Sequence, residues 1–136
     1  LPHNKIKRKL ANRIRKLVSR ESSRDISVGC GGKFLTSYIE SKFLAGMSWG
    51  NYGWGEGKWV IDHIKPLSMF NVENKEERYS ANHYLNLQPL WYSQNEAKSD
   101  NYDPDHPMGW HGLNDLLSDE DKKILGEKYN YTFGQK

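Results

Sequence analysis

Apolar side chains Ile6, Leu10, Ile14, Leu17 and Val18 recur three and four positions apart. That is the period of one helix face, so residues 4–20 are predicted as an amphipathic helix whose opposite face is basic. Residues 22–32 break the pattern, with Gly29-Cys30-Gly31-Gly32 as a turn. Phe34, Leu35, Tyr38, Ile39, Lys42 and Phe43 then restart helical spacing as far as about Gly46. The stretch 47–57 has too many glycines for regular structure, yet its Trp49, Tyr52 and Trp54 need a surface to pack on, which predicts an ordered loop. Residues 59–64 are β-branched and aromatic and are closed by Pro66, the signature of a short strand. A short helical turn is predicted over 74–82. A second strand follows over 87–91, with Pro89 confining it to an edge or a bulge. Ser93 and Glu96 have the spacing of a capping box, predicting a helix from about Gln94 to Asp100. After a loop over 103–107, Ser118 and the acids behind it open a last helix toward Lys128, with negative charge at its positive end.

This order of elements predicts an α+β fold in three parts: a basic helical arm over 1–28, a core over 29–102, and an extension with one helix over 103–136. The 136 residues are enough for one domain with a modest core. Only 36% are hydrophobic, below the globular average of roughly 45–50%. Five Trp, eight Tyr and four Phe nevertheless exclude a disordered chain. Cys30 is the single cysteine, which rules out an intrachain disulfide and a Cys-rich structural zinc, and predicts a reducing compartment. No apolar run approaches the roughly 20 residues needed to cross a bilayer, and the start lacks a signal-peptide core, so a cytoplasmic protein with no membrane partner is expected. Because the chain starts at Leu1 rather than Met, the sequence leaves open whether a module precedes it.

Charge sharpens this picture. The net value is +3, but residues 1–24 carry Lys5, Lys7, Arg8, Lys9, Arg13, Arg15, Lys16, Arg20 and Arg24 against Glu21 alone, about +8, leaving about −5 for the rest. A one-signed helix with almost no acidic partner at helical spacing predicts phosphate contact rather than a merely solvated face. Lys5, Lys7, Arg8, Lys9, Arg13, Arg15, Lys16 and Arg20, with Lys65 and Arg78 from the core, are therefore the candidate DNA-binding residues.

Cleaving a phosphodiester near neutral pH needs a base, a cation to neutralise charge on phosphorus, and an oriented leaving group. His63 has the side chain suited to a general base at physiological pH. Asp62 and Asn95 offer hard oxygens of the kind that Mg2+ or Mn2+ prefers. Lys98 follows Asn95 by three residues and shares its helix face, bringing a cation alongside. Adjacent strand residues point to opposite faces, so Asp62 and His63 serve one site only if the strand bends at its end, which Pro66 favours.

Asp62-His63-Ile64-x-Pro66, then Asn86-Leu87-Gln88-Pro89-Leu90-Trp91, then Asn95-x-x-Lys98 resembles the motif of the HNH, or ββα-metal, endonucleases. Asn95 stands where many members carry a final His, an H-N-N variant. Phe43-x-x-Gly46-Met47-Ser48-Trp49-Gly50-Asn51-Tyr52-Gly53 with Trp59 is similar to small HNH proteins of phages and bacteria, so the likeness covers roughly residues 30–100. The resemblance implies a core of a short antiparallel β-hairpin plus a helix and a phosphodiester hydrolase acting on double-stranded DNA. His63 would activate water, and one divalent ion would be held by Asp62 and Asn95. Asn86 would tie the loop between the strands and orient His63, with Lys98 beside the phosphate. A homodimer or larger assembly is implied for a double-strand cutter, and a bacterial or phage-infected cell for the setting. Alternatives are a non-catalytic DNA-binding module on the same scaffold and a nuclease toxin with an immunity partner. Members flanked by zinc fingers have paired cysteines that this chain lacks, so packing of Trp49, Tyr52, Trp54, Trp59 and Trp91 is expected to hold the core. The 22 residues between His63 and Asn86 are long for the motif and are expected to carry substrate contacts. His83 is either an accessory to the site or a loop-packing residue; His3, His106 and His111 are expected to be surface or packing residues.

Overall fold

The computed structural model describes residues 2–19 and 24–133, with side chains from Lys5 onward in the first stretch. Arg20 and the side chain of His3 lie outside the described residues. The fold is α+β, with helices around two two-stranded sheets. It forms two compact units, each assembled from two separated stretches: Leu1–Lys42 with His63–Gln88, and Phe43–Asp62 with Pro89–Lys136.

In the first unit, α1 (Pro2–Ser19) buries Leu10, Ile14 and Leu17, the apolar stripe seen in the sequence, and packs on α2 (Gly32–Glu40) and α3 (Lys75–Asn82). Between α1 and α2, β1 (Arg24–Asp25) and β2 (Cys30–Gly31) pair antiparallel, Arg24 opposite Gly31 and Asp25 opposite Cys30. Their turn is organised by Asp25 Oδ1, which accepts from the Ser27 and Val28 amides at 2.8 and 3.3 Å. Gly29 closes it at φ +81, where the ring of His83 would lie 2.8 Å from an added Cβ; both backbone and space demand glycine. The periodicity of Lys42 and Phe43 overstated α2, which ends at Glu40 because Phe43 turns away to join an aromatic cluster. Asn74 caps α3 by accepting from the Glu77 amide at 3.0 Å, with Glu76 and Glu77 in its first turn.

In the second unit, Phe43, Trp49, Tyr52 and Trp59 pack ring against ring with centroids 4.6 to 5.7 Å apart. Trp59 is fully buried, and its Nε1 donates to the Ser48 carbonyl at 2.6 Å, so the glycine-rich loop is ordered by what it encloses. Trp54 departs from the expected core role: it is 68% exposed and rests edge-on against Tyr92. Trp91 lies against Gly46. The last helix, α5 (Asp119–Tyr129), is capped by Ser118 Oγ, which accepts from the Asp121 amide at 3.1 Å. Asp121 Oδ1 in turn accepts from the Ala45 amide at 2.9 Å.

The second sheet pairs β3 (Trp59–His63) with β4 (Leu87–Trp91). Its flanks show the antiparallel sense: Ile64 N donates to Asn86 O at 2.8 Å, and Tyr92 N to Lys58 O at 2.9 Å. In a two-stranded sheet every strand is an edge, which is how β4 tolerates Pro89. Helix α4 (Tyr92–Lys98) follows β4 without a gap.

Candidate functional site

Polar side chains gather around Asp62 in the second unit. Asp62 is buried near the end of β3, while Asn95 and Lys98 share one face of α4. Asn95 Nδ2 donates to Asp62 Oδ1 at 3.0 Å. Lys98 Nζ lies 3.2 Å from Asp62 Oδ2 and 3.4 Å from Oδ1, and its side chain is 0% exposed. Burying an ammonium costs several kcal/mol unless a carboxylate meets it, so Lys98 and Asp62 require one another.

The start of α4 differs from the capping-box reading. The helix begins at Tyr92, and Gln94 fastens it: Oε1 accepts from the Trp91 amide at 2.9 Å and Nε2 donates to the Leu116 carbonyl at 3.1 Å. Ser93 and Glu96 face solvent. Asn95 therefore sits just past the first turn, where the helix dipole contributes little.

Asp62 and Asn95 are a carboxylate and an amide, both carrying hard oxygens, and this donor set fits Mg2+ or Mn2+. Turning the Asn95 amide over would present its oxygen to Asp62, an arrangement that a shared cation makes favourable. Among the described residues no three of His, Cys, Asp and Glu gather as a metal-binding group.

In the first unit, His63 ends β3 half-buried, with Nε2 at 2.9 Å from Asn82 Oδ1. Asn86 clasps the segment that follows. Its Oδ1 accepts from Lys65 N at 2.9 Å, and its Nδ2 donates to the carbonyls of Lys65 and Ala81 at 3.1 and 2.8 Å. The chain bends at Ile64 and Lys65, directly after His63. Asn82 was missed in the sequence; the only signal was a polar residue ending a short helix, four before Asn86. His83 Nδ1 accepts from the Leu85 amide at 3.2 Å, and its ring packs on Tyr84 and over Gly29.

The basic residues divide by surroundings. Lys5, Arg8, Lys9, Arg13, Arg15 and Lys16 are exposed along α1 and Lys7 is half-buried, with Arg15 donating to Asn12 Oδ1. Arg78 Nη1 donates to the Val72 and Glu73 carbonyls at 3.0 and 3.1 Å, and Lys65 Nζ stands 4.7 Å over the Phe70 ring.

Two further histidines belong to the second unit. His106 Nδ1 accepts from the Met108 amide at 3.0 Å, which leaves Nε2 to donate to Asn114 Oδ1 at 2.7 Å. Burial pushes this imidazole below its ordinary value of 6.5, against the upward pull of Asn114 and Asp103. His111 is exposed beside Asp103. Burial also pushes the Cys30 thiol up, away from a reactive thiolate.

No family model matches the chain, and no solved structure matches it. Two curated relatives do, both uncharacterized proteins of Acanthamoeba polyphaga mimivirus. L246 is 28% identical over 133 residues, covering 96% of this chain and 57% of the relative. L426 is 32% identical over 78 residues, covering 57% of this chain and 33% of the relative. The chain thus spans about half or less of the length of the curated relatives it matches. Among the described residues no helix is long and apolar enough to cross a membrane.

Proposed function

We propose that the chain is a metal-dependent DNA endonuclease built on an HNH core, in which β3, β4 and α4 are the ββα element. The observation that carries this reading is the grouping of Asn95 and Lys98 on Asp62 within 3.0 to 3.4 Å, with His63 as the next residue along the chain. His63 takes a proton from water as the water oxygen bonds to phosphorus. The phosphorus–oxygen bond to the departing strand end breaks, and that oxygen takes a proton from solvent. Asp62 and Asn95 would hold a divalent ion, which when bound would supply charge neutralisation at the phosphate. Lys98 adds fixed positive charge beside Asp62. Asn86 holds the backbone after His63 so that the imidazole keeps its aim, and the exposed cations of α1 grip the phosphate backbone. The mimivirus relatives favour a virus-infected cell as the setting.

A second reading, a DNA-binding module without catalysis, is favoured by the closure of Lys98 over Asp62. One assay separates the two. With Mg2+ or Mn2+ the protein should convert supercoiled plasmid to nicked or linear DNA, and His63→Ala should abolish conversion while circular dichroism stays unchanged. Binding without conversion across a metal series selects the second reading.

A further inference from the structure

Asn82 is fully buried in the last turn of α3, and its carboxamide meets three partners within its own unit. Nδ2 donates to the Leu10 carbonyl at 3.1 Å and to Ser27 Oγ at 3.4 Å, while Oδ1 faces His63 Nε2 at 2.9 Å. Two of these partners independently fix which end of the amide is nitrogen. The Leu10 carbonyl can only accept, so Nδ2 must face it. The Ser27 hydroxyl gives its proton to Asp25 Oδ1 at 2.6 Å, so it too meets Asn82 with a lone pair. Reversing the amide would set two buried acceptors against each other, at a cost of about 1–3 kcal/mol for each unmade bond. Oδ1 is thereby committed to His63, and an acceptor facing Nε2 demands a proton on that nitrogen.

We infer that Asn82 is a positioning residue, which locks His63 as the Nε2–H tautomer and makes Nδ1 its basic atom. The relay runs in one direction, from imidazole to Asn82 to Ser27 to the Asp25 carboxylate. Its branch to Leu10 registers the ring against the backbone of α1. Assigning the water proton to Nδ1 rests on the nuclease reading; the tautomer does not. Because the partners reach Asn82 from α1 and from the turn after β1, the ring is aimed by elements far from it in sequence.

The test uses the full chain with isotope-labelled histidine and nitrogen-detected NMR of the neutral ring. His63 should show the Nε2–H pattern, with a slowly exchanging Hε2 close to the Asn82 amide. In Asn82→Ala the tautomers should mix, and kcat on plasmid should fall by on the order of 10²- to 10⁴-fold, the range set by losing an imidazole's orienting partner, with KM for DNA unchanged. Ser27→Ala, which leaves the Leu10 carbonyl to orient the amide, should retain the pattern. An Nδ1–H pattern in the wild-type protein overturns the inference, as does a folded Asn82→Ala with unaltered spectrum and kcat. If Asn82→Ala does not fold, the wild-type spectrum and Ser27→Ala decide the matter. Absence of cleavage by wild-type protein with an intact Nε2–H spectrum overturns the nuclease reading and supports the tautomer.

Discussion

Lys98 shows how far a single residue in this chain depends on one neighbour. Its ammonium is fully enclosed against Asp62, and truncating it leaves the carboxylate buried with the Asn95 amide as its remaining polar partner among these three. Lys98→Ala should therefore lower unfolding free energy by about 3–5 kcal/mol in urea. The double variant Lys98→Met with Asp62→Leu should recover much of that, because two apolar groups need no compensation. A loss below about 1 kcal/mol would mean that water reaches the pair. His106 makes a different kind of demand, since burial holds it neutral. The unfolded chain binds a proton near pH 6.5 while the folded chain resists, so the unfolded state carries more protons below that value and stability rises with pH. Stability should fall as pH drops from about 7 through 6.5, and His106→Gln should flatten that slope in denaturation curves. An unaltered slope would assign the acid sensitivity to other groups.

Among the elements, α1 carries a buried apolar face and an exposed basic one. Deleting it would strip Leu10, Ile14 and Leu17 from the first unit's core and remove the carbonyl that Asn82 donates to, so weaker DNA binding after deletion would carry no message about charge. Exchanging Lys5, Arg8, Lys9 and Lys16 for Gln leaves the apolar face whole. It should lower the slope of log affinity against log salt by about 0.9 for each phosphate that is no longer neutralised. An unchanged slope would make the basic face a solvated one. The strands β3 and β4 and the helices α1 and α5 were legible in the sequence because their composition and capping are local: Val60 and Ile61, the stripe on α1, Ser118 before α5. The end of α2 and the start of α4 were not. Phe43 keeps helical spacing but is claimed by Trp49 and Trp59, and Gln94 is held by a carbonyl 22 positions away. In the candidate site, Asp62 with Asn95 and Lys98 could be anticipated from motif spacing. Asn82 could not, because its partners lie 72 and 55 positions upstream.

For the whole molecule, the proposed nuclease function with one His63 and one Asp62 per chain predicts one strand cut per encounter. Under dilute enzyme, nicked circles should accumulate before linear plasmid, with linear product rising with the square of early conversion. Nicked and linear products arising together from the first time points would require paired copies on the DNA. Each unit is assembled from two separated stretches, the first from Leu1–Lys42 and His63–Gln88, with Phe43–Asp62 lying between these in sequence. On the ribosome, then, the N-terminal helix can meet α2 early but waits for α3 until more than half the chain has been made. The first 42 residues hold only part of the first unit, and a protease cut between Asp62 and His63 would leave each fragment carrying part of both units.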